Sequence, residues 1–324
     1  MDNLNPQFGS SQNLWAVVLA GGCGTRLAEA TRGTDGVVVP KQYCTFWGQR
    51  SLLEATLDRL EPEIAPEHTV VVVAAEHRKY WSQRRHQVPA ANFLEEPTNR
   101  GTAMAVLLAL LFIRRVDRDA VVIVVPADHG VRDEQVFQLA LRRCLEEARQ
   151  GCVIVLGMQP DSQDDGYGWI VPGESLRRDG HLRSVARFIE KPTAEAAESM
   201  RTSGALWSSF VLAGRLGALL ALIARARPGL FGVAATHLSC TPDWEPEQLA
   251  NLYSVIPKVD LSRDVLQTVP DWLWVAPVEP CGWTDLGTPE RLRHFLNGPH
   301  ATSSPARRPD VTPRSRPTPS AIAL

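Results

Sequence analysis

The residue types best suited to chemistry sit in a few short motifs. LAGGCGTRL, residues 19–27, sets three glycines and an arginine directly after an apolar run. A glycine-rich loop in that place exposes backbone N–H groups that can wrap a polyphosphate, and Arg26 adds a fixed positive charge. A plain turn would require the glycines but not the arginine. Two more specific readings fail on spacing. A dinucleotide fingerprint needs a third glycine where Leu27 stands, and GxxxxGK[ST] is absent.

Two carboxylates stand in comparable places: Asp128 in VVPADHG and Asp285 in GWTDLGT, each just past an apolar stretch. Mg²⁺ takes oxygen ligands, typically one or two carboxylates with substrate phosphates, so two aspartates converging beside a phosphate loop would make a metal site. An isolated aspartate there is more often a turn or cap residue, and only convergence of the two favours the metal. Lysine is scarce. Among 34 Lys and Arg, the lysines are Lys41, Lys79, Lys191 and Lys258. Two of them fall in PKQ (40–42) and EKP (190–192), where an ammonium can meet a phosphate as a point charge. Glu190 beside Lys191 suits a sugar phosphate, the carboxylate for hydroxyls and the ammonium for the phosphate, and it suits an exposed ion pair equally well.

The elements that must position these motifs read as an α/β fold. LWAVVLA (14–20), VVVVAA (70–75), AVVIVV (120–125) and VIVLG (153–157) are short continuous apolar runs, the pattern of buried parallel strands. Helical patterns lie between them at 51–60, 102–115 and 134–150, the last ending before Gly151 as a C-terminal cap requires. In such folds ligands collect at the carboxyl ends of the strands, and LAGGCGTRL, PADHG and GWTDLGT all follow apolar runs.

Composition narrows the classes. A chain of 324 residues that is 44% hydrophobic can bury a sizeable core. Six cysteines without a CxxC pair and eight histidines without HExxH argue against disulfide staples or a zinc site. A net charge of −2 gives no case for binding nucleic acid. The longest apolar run, 103–113, is too short to cross a bilayer, and no Lys or Arg precedes Arg26, so no secretory signal and no membrane contact are expected. The expected location is cytoplasmic.

Taken in order, LAGGCGTRL, PKQY, EPTNRGTA, VVPADHG, GYGWI, FIEKP, LWSSF and GWTDLGTPERL resemble the sugar-1-phosphate nucleotidylyltransferases, and within them the bacterial mannose-1-phosphate guanylyltransferases. The resemblance implies a Rossmann-like nucleotidyltransferase domain over 14–297, with a mixed, mainly parallel central sheet flanked by helices. Its nucleotide-binding part would be about 14–157 and its sugar-phosphate part about 158–297. Residues 1–13 would be a flexible N-terminus and 298–324, rich in Pro, Ser and Arg, a disordered tail. No isomerase domain is expected. Gly21, Gly22, Gly24 and Thr25 would hold the nucleotide phosphates, with Arg26 and Lys41 neutralising their charge. The stretch from Glu95 to Thr102, with Asn99, would lie against the nucleoside. Gly168, Glu190 and Lys191 would receive the sugar phosphate, with Ser208 nearby. Asp128 and Asp285 would hold Mg²⁺. The implied reaction joins GTP to mannose 1-phosphate, giving GDP-mannose and pyrophosphate; a homo-oligomer stays open.

No histidine base or serine nucleophile is needed for that chemistry. A phosphate monoester, with a second pKa of about 6, is already largely dianionic at neutral pH. Three departures from the family pattern stand out: the 28–39 loop before Pro40, Ser208 where the family usually has Asn, and Asp165 where Thr is more usual before GYGWI. Two alternatives keep their place: another sugar 1-phosphate or nucleoside triphosphate, and a catalytically silent regulatory subunit that binds nucleotide sugars.

Overall fold

A computed structural model describes residues 13–33, 35–82, 88–176, 180–239 and 244–298. The expected N-terminal and tail segments, apart from Asn13 and Gly298, lie outside the described residues.

Side chains alternate across a strand, so a strand covered on both faces must be apolar throughout. In β1 (Leu14–Ala20), Leu14, Ala16, Val18 and Ala20 enter one core while Trp15 and Val17 enter the other. The same logic holds for β2 (Thr69–Ala74), β4 (Val121–Pro126) and β5 (Ile154–Met158), while β3 (Phe93–Glu96), at the sheet edge, carries two glutamates. The sheet is completed by β6 (Gly168–Ser175), β7 (Arg183–Glu190), β8 (Leu206–Arg215) and β9 (Trp274–Val278). Its order is β3-β2-β1-β4-β8-β5-β9-β7-β6. β1 to β4 pair in parallel, as do β5 and β9, while β7 and β8 run against the rest. The expected mixed, mainly parallel sheet is therefore present, and a single sheet spans both the proposed nucleotide part and the sugar part.

The helices are α1 (Leu52–Leu60), α2 (Arg78–Trp81), α3 (Thr102–Val116), α4 (Glu134–Arg149), α5 (Ala194–Thr202), α6 (Leu216–Ala226), α7 (Pro228–Ser239), α8 (Pro246–Val255) and α9 (Pro289–Leu296). The apolar run at 103–113 is explained by α3, which is wedged between the sheet and α6 and α7 and so buried around its circumference. α1 and α4 share the opposite core. Among the described residues no helix is long and apolar enough to cross a membrane.

Two local signals fix elements that matter below. Ser51 caps α1 in a capping box with Glu54. Thr288 caps α9, accepting from the Arg291 N–H at 3.2 Å, with Pro289 in the first turn. That cap fixes where Arg291 leaves the helix.

Candidate active site

The glycine loop leaves β1 and enters a 3-10 turn, Thr25–Leu27. Gly24 has φ +60, and a Cβ there would lie 3.2 Å from Lys41 N and Cβ, so both backbone sign and space demand glycine. The loop is pinned from the 41–43 turn. The Gln42 amide donates to the carbonyls of Ala20 (2.7 Å) and Gly22 (2.8 Å), and the Tyr43 hydroxyl donates to Ala20 (3.2 Å). Arg26 is exposed, and its guanidinium comes within 3.0 Å of where a Gly287 Cβ would stand.

Lys41 gathers the two aspartate segments. It is 6% exposed, its Nζ lies 2.9 Å from Asp128 Oδ2, and it donates to the main-chain oxygen of Asp285 at 2.6 Å. A backbone bridge between Gly130 and Thr284 holds the two loops in register. Burial raises the Asp128 carboxyl, but the adjacent Lys41 ammonium outweighs it and leaves it below its ordinary value. His129 is driven down to about 4 by burial, against the pull of Asp128 and Asp285. Its Nδ1 accepts from Trp283 Nε1 at 3.2 Å, the arrangement of a neutral imidazole.

Asp285 is held in turn by Arg291. Nη1 reaches both carboxylate oxygens, at 2.8 and 2.9 Å, while Nε meets Asp164 Oδ2 at 2.8 Å and Nη2 bonds Asp164 Oδ1. The guanidinium lies over the Tyr167 ring, 3.8 Å from its centroid. Tyr167 connects onward: its hydroxyl is 3.3 Å from Thr284 Oγ1 and its carbonyl accepts from Lys191 N at 3.2 Å.

At the far end Gly168 pairs with Glu190 across β6 and β7. A Cβ on Gly168 would fall 2.7 Å from Glu190 Oε2 and 3.4 Å from Ser208 Cβ, so the three residues meet at one point. Burial raises the Glu190 carboxyl against the opposing charge of Lys191, whose Nζ is 3.3 Å away. Lys191 (φ 49), Phe210 (φ 63) and Leu286 (φ 49) are the non-glycine residues with left-handed backbone among those described; Lys191 is itself a proposed site residue, Leu286 follows Asp285, and Phe210 lies two residues after Ser208. At the β8 irregularity Ser208 Oγ accepts from Phe210 N, and buried Ser209 bonds Leu156 O.

The structure thus joins Arg26, Lys41, Asp128 and Asp285 at one end, and Gly168, Glu190, Lys191 and Ser208 at the other. Glu95 is not with them: it pairs with Arg78 at 2.7 Å. Its neighbour Glu96, on the other face of β3, lies beneath the glycine loop, with Oε2 3.0 Å from a Gly21 Cβ position. Asn99 Oδ1 accepts from Gly101 N, and Thr102 Oγ1 accepts from Leu261 N, so both shape the entry to α3.

The family model described as nucleotidyl transferase matches residues 15–297. The chain belongs to this family. Relatives of this nucleotidyl transferase include the mannose-1-phosphate guanylyltransferase of Escherichia coli K12, 30% identical over 288 residues, covering 86% of this chain and 59% of that one. The mannose-1-phosphate guanylyltransferase of Klebsiella pneumoniae is 34% identical over 221 residues, covering 67% and 46%. The chain thus spans about half to three-fifths of the length of these relatives. Among solved structures, the Thermus thermophilus protein described as a mannose-1-phosphate geranyltransferase superposes with TM-score 0.75 at 28% identity, covering 88% of this chain and 80% of that one.

Several residues of the candidate site escape a motif-by-motif reading. Arg291 stands inside GWTDLGTPERL, but only the α9 cap shows that it turns back onto Asp285. Asp165, a departure from the family pattern, is exposed, and it is Asp164 that pairs with Arg291. In the unusual 28–39 loop, Arg32 and Val38 form an isolated bridge.

Proposed function

We propose that this nucleotidyl transferase moves GMP from GTP to mannose 1-phosphate, releasing pyrophosphate. The observation that carries the reading is Lys41, which draws Asp128 and the Asp285 segment together beside the glycine loop. The mannose-1-phosphate guanylyltransferases among its relatives support the choice of substrates.

In this reading backbone N–H groups of residues 21–25 cradle the triphosphate, and Arg26 faces it from the exposed side. Asp128 and Asp285 offer the hard oxygen donors that Mg²⁺ takes, and the spot where Lys41 meets both loops already accommodates a cation. Bound there, Mg²⁺ would supply charge neutralisation on the reacting phosphates. Lys191 and Glu190 hold the sugar phosphate, and Tyr167 and Arg291 fix the distance between the two ends. One oxygen of the sugar phosphate attacks the α-phosphorus in line, and the bond from the α-phosphorus to the α–β bridging oxygen breaks, that oxygen leaving as a terminal oxygen of pyrophosphate. The nucleophile carries no proton to remove, so the side chains act by positioning and by charge. The cytoplasm is the proposed location.

Asp128→Asn and Asp285→Asn test the assignment. Each is expected to nearly abolish turnover while circular dichroism shows the fold retained; full activity in both would remove the two aspartates from the mechanism.

A further inference from the structure

Cys23, between Gly22 and Gly24, faces the turn that follows β2. Its Sγ lies 3.4 Å from Glu76 Oε1, and the same oxygen lies 3.6 Å from His77 Nε2. One ligand atom from each of the three residues lies within 4.8 Å of the others. Zinc bonds of about 2.3 Å to sulfur and about 2.0 Å to nitrogen or oxygen give tetrahedral edges of about 3.3–3.6 Å. The two separations given are already of that size.

A second observation concerns His77. Its side chain is 8% exposed, its Nδ1 has no hydrogen-bond partner, and Nε2 is beyond hydrogen-bond distance of Glu76. The nitrogen that faces Glu76 is Nε2, which makes no hydrogen bond to that carboxylate and so keeps a lone pair for an ion; the unsatisfied Nδ1 lies on the other edge of the ring. The neighbouring Cys23 and Glu76 are exposed, which leaves a path for an ion and a fourth position for water.

We infer that Cys23, Glu76 and His77 form a three-ligand site for a zinc-class divalent ion, distinct from the oxygen donors Asp128 and Asp285. Thiolate and imidazole select a borderline transition metal over Mg²⁺. As the metal–sulfur bond forms, the Cys23 proton passes to solvent. An ion held there would tie the glycine loop to the turn after β2.

The test is Co²⁺ titration of the full chain without nucleotide, followed by absorption, so its outcome does not depend on the proposed reaction. One equivalent of Co²⁺ is expected to give a thiolate-to-cobalt charge-transfer band that Zn²⁺ bleaches. Cys23→Ser should abolish the band. Glu76→Gln, at an exposed position and safe for folding, and His77→Gln should each weaken binding by about tenfold or more, since even outer-shell losses reach that size. Absence of a charge-transfer band, or a band of unchanged affinity in Glu76→Gln, would overturn the site.

Discussion

The Lys41 ammonium lies 2.9 Å from the Asp128 carboxylate. The same nitrogen bonds the main chain of Asp285, so one residue from the 41–43 turn sets the spacing of two loops far apart in sequence. Lys41→Met leaves Asp128 in a largely desolvated place without its counter-charge. With Asp128 33% exposed, the expected loss is about 2 kcal/mol, below the range for fully buried pairs. Urea denaturation at neutral pH measures it. Because the Asp128 carboxyl is lowered in the folded state, its stabilisation is present above the ordinary value of 3.8 and is lost as pH falls through the folded one. The deficit of Lys41→Met should therefore shrink in acid.

Arg291 joins Asp285 to Asp164 with a planar fork that a lysine cannot reproduce. Arg291→Gln is expected to cost about 1–3 kcal/mol in stability. Arg291→Lys should restore part of the stability but little of the turnover. Recovery of full kcat in Arg291→Lys would reduce the guanidinium to a simple charge.

A Cβ on Gly168 would fall 2.7 Å from Glu190 Oε2 and so push the Glu190 carboxylate out of place. Gly168→Ala is expected to raise KM for the sugar phosphate about tenfold, equivalent to about 1.4 kcal/mol, and to leave KM for the nucleotide unchanged. Steady-state kinetics with each substrate varied in turn makes the comparison. Equal effects on both would place Gly168 outside the sugar end.

Glu96 predicts a pH dependence of stability. Burial pushes its carboxyl up from 4.5 to about 7, against the hydrogen bond from Tyr253 Oη at 3.1 Å. The folded state therefore keeps this proton where the unfolded chain has released it. The contribution is full below about 4.5 and is lost as pH rises through about 7. Glu96→Gln keeps the shape and should lose less stability than the parent between pH 5 and pH 8, as read from urea midpoints at the two pH values.

What the sequence made legible follows from which interactions are local. The apolar runs of β1, β2, β4 and β5 announce strands because both faces of each are buried. Gly24 and Lys41 are readable as loop chemistry, but their contact is not, since nothing local places residue 41 under residue 24. The same limit hid Arg291, whose target Asp164 lies 127 residues away. Glu95 and Glu96 differ only in the face of β3 they occupy, and register, set by pairing with β2, decides which one underlies the glycine loop.

The most direct measurement is pyrophosphate release with Mg²⁺ across four nucleoside triphosphates and several sugar 1-phosphates, with Asp128→Asn as the blank. Release from GTP with mannose 1-phosphate, absent in the blank, is the predicted result. Silence across the whole grid while nucleotide or nucleotide sugar still binds would contradict it and make the chain a binding subunit.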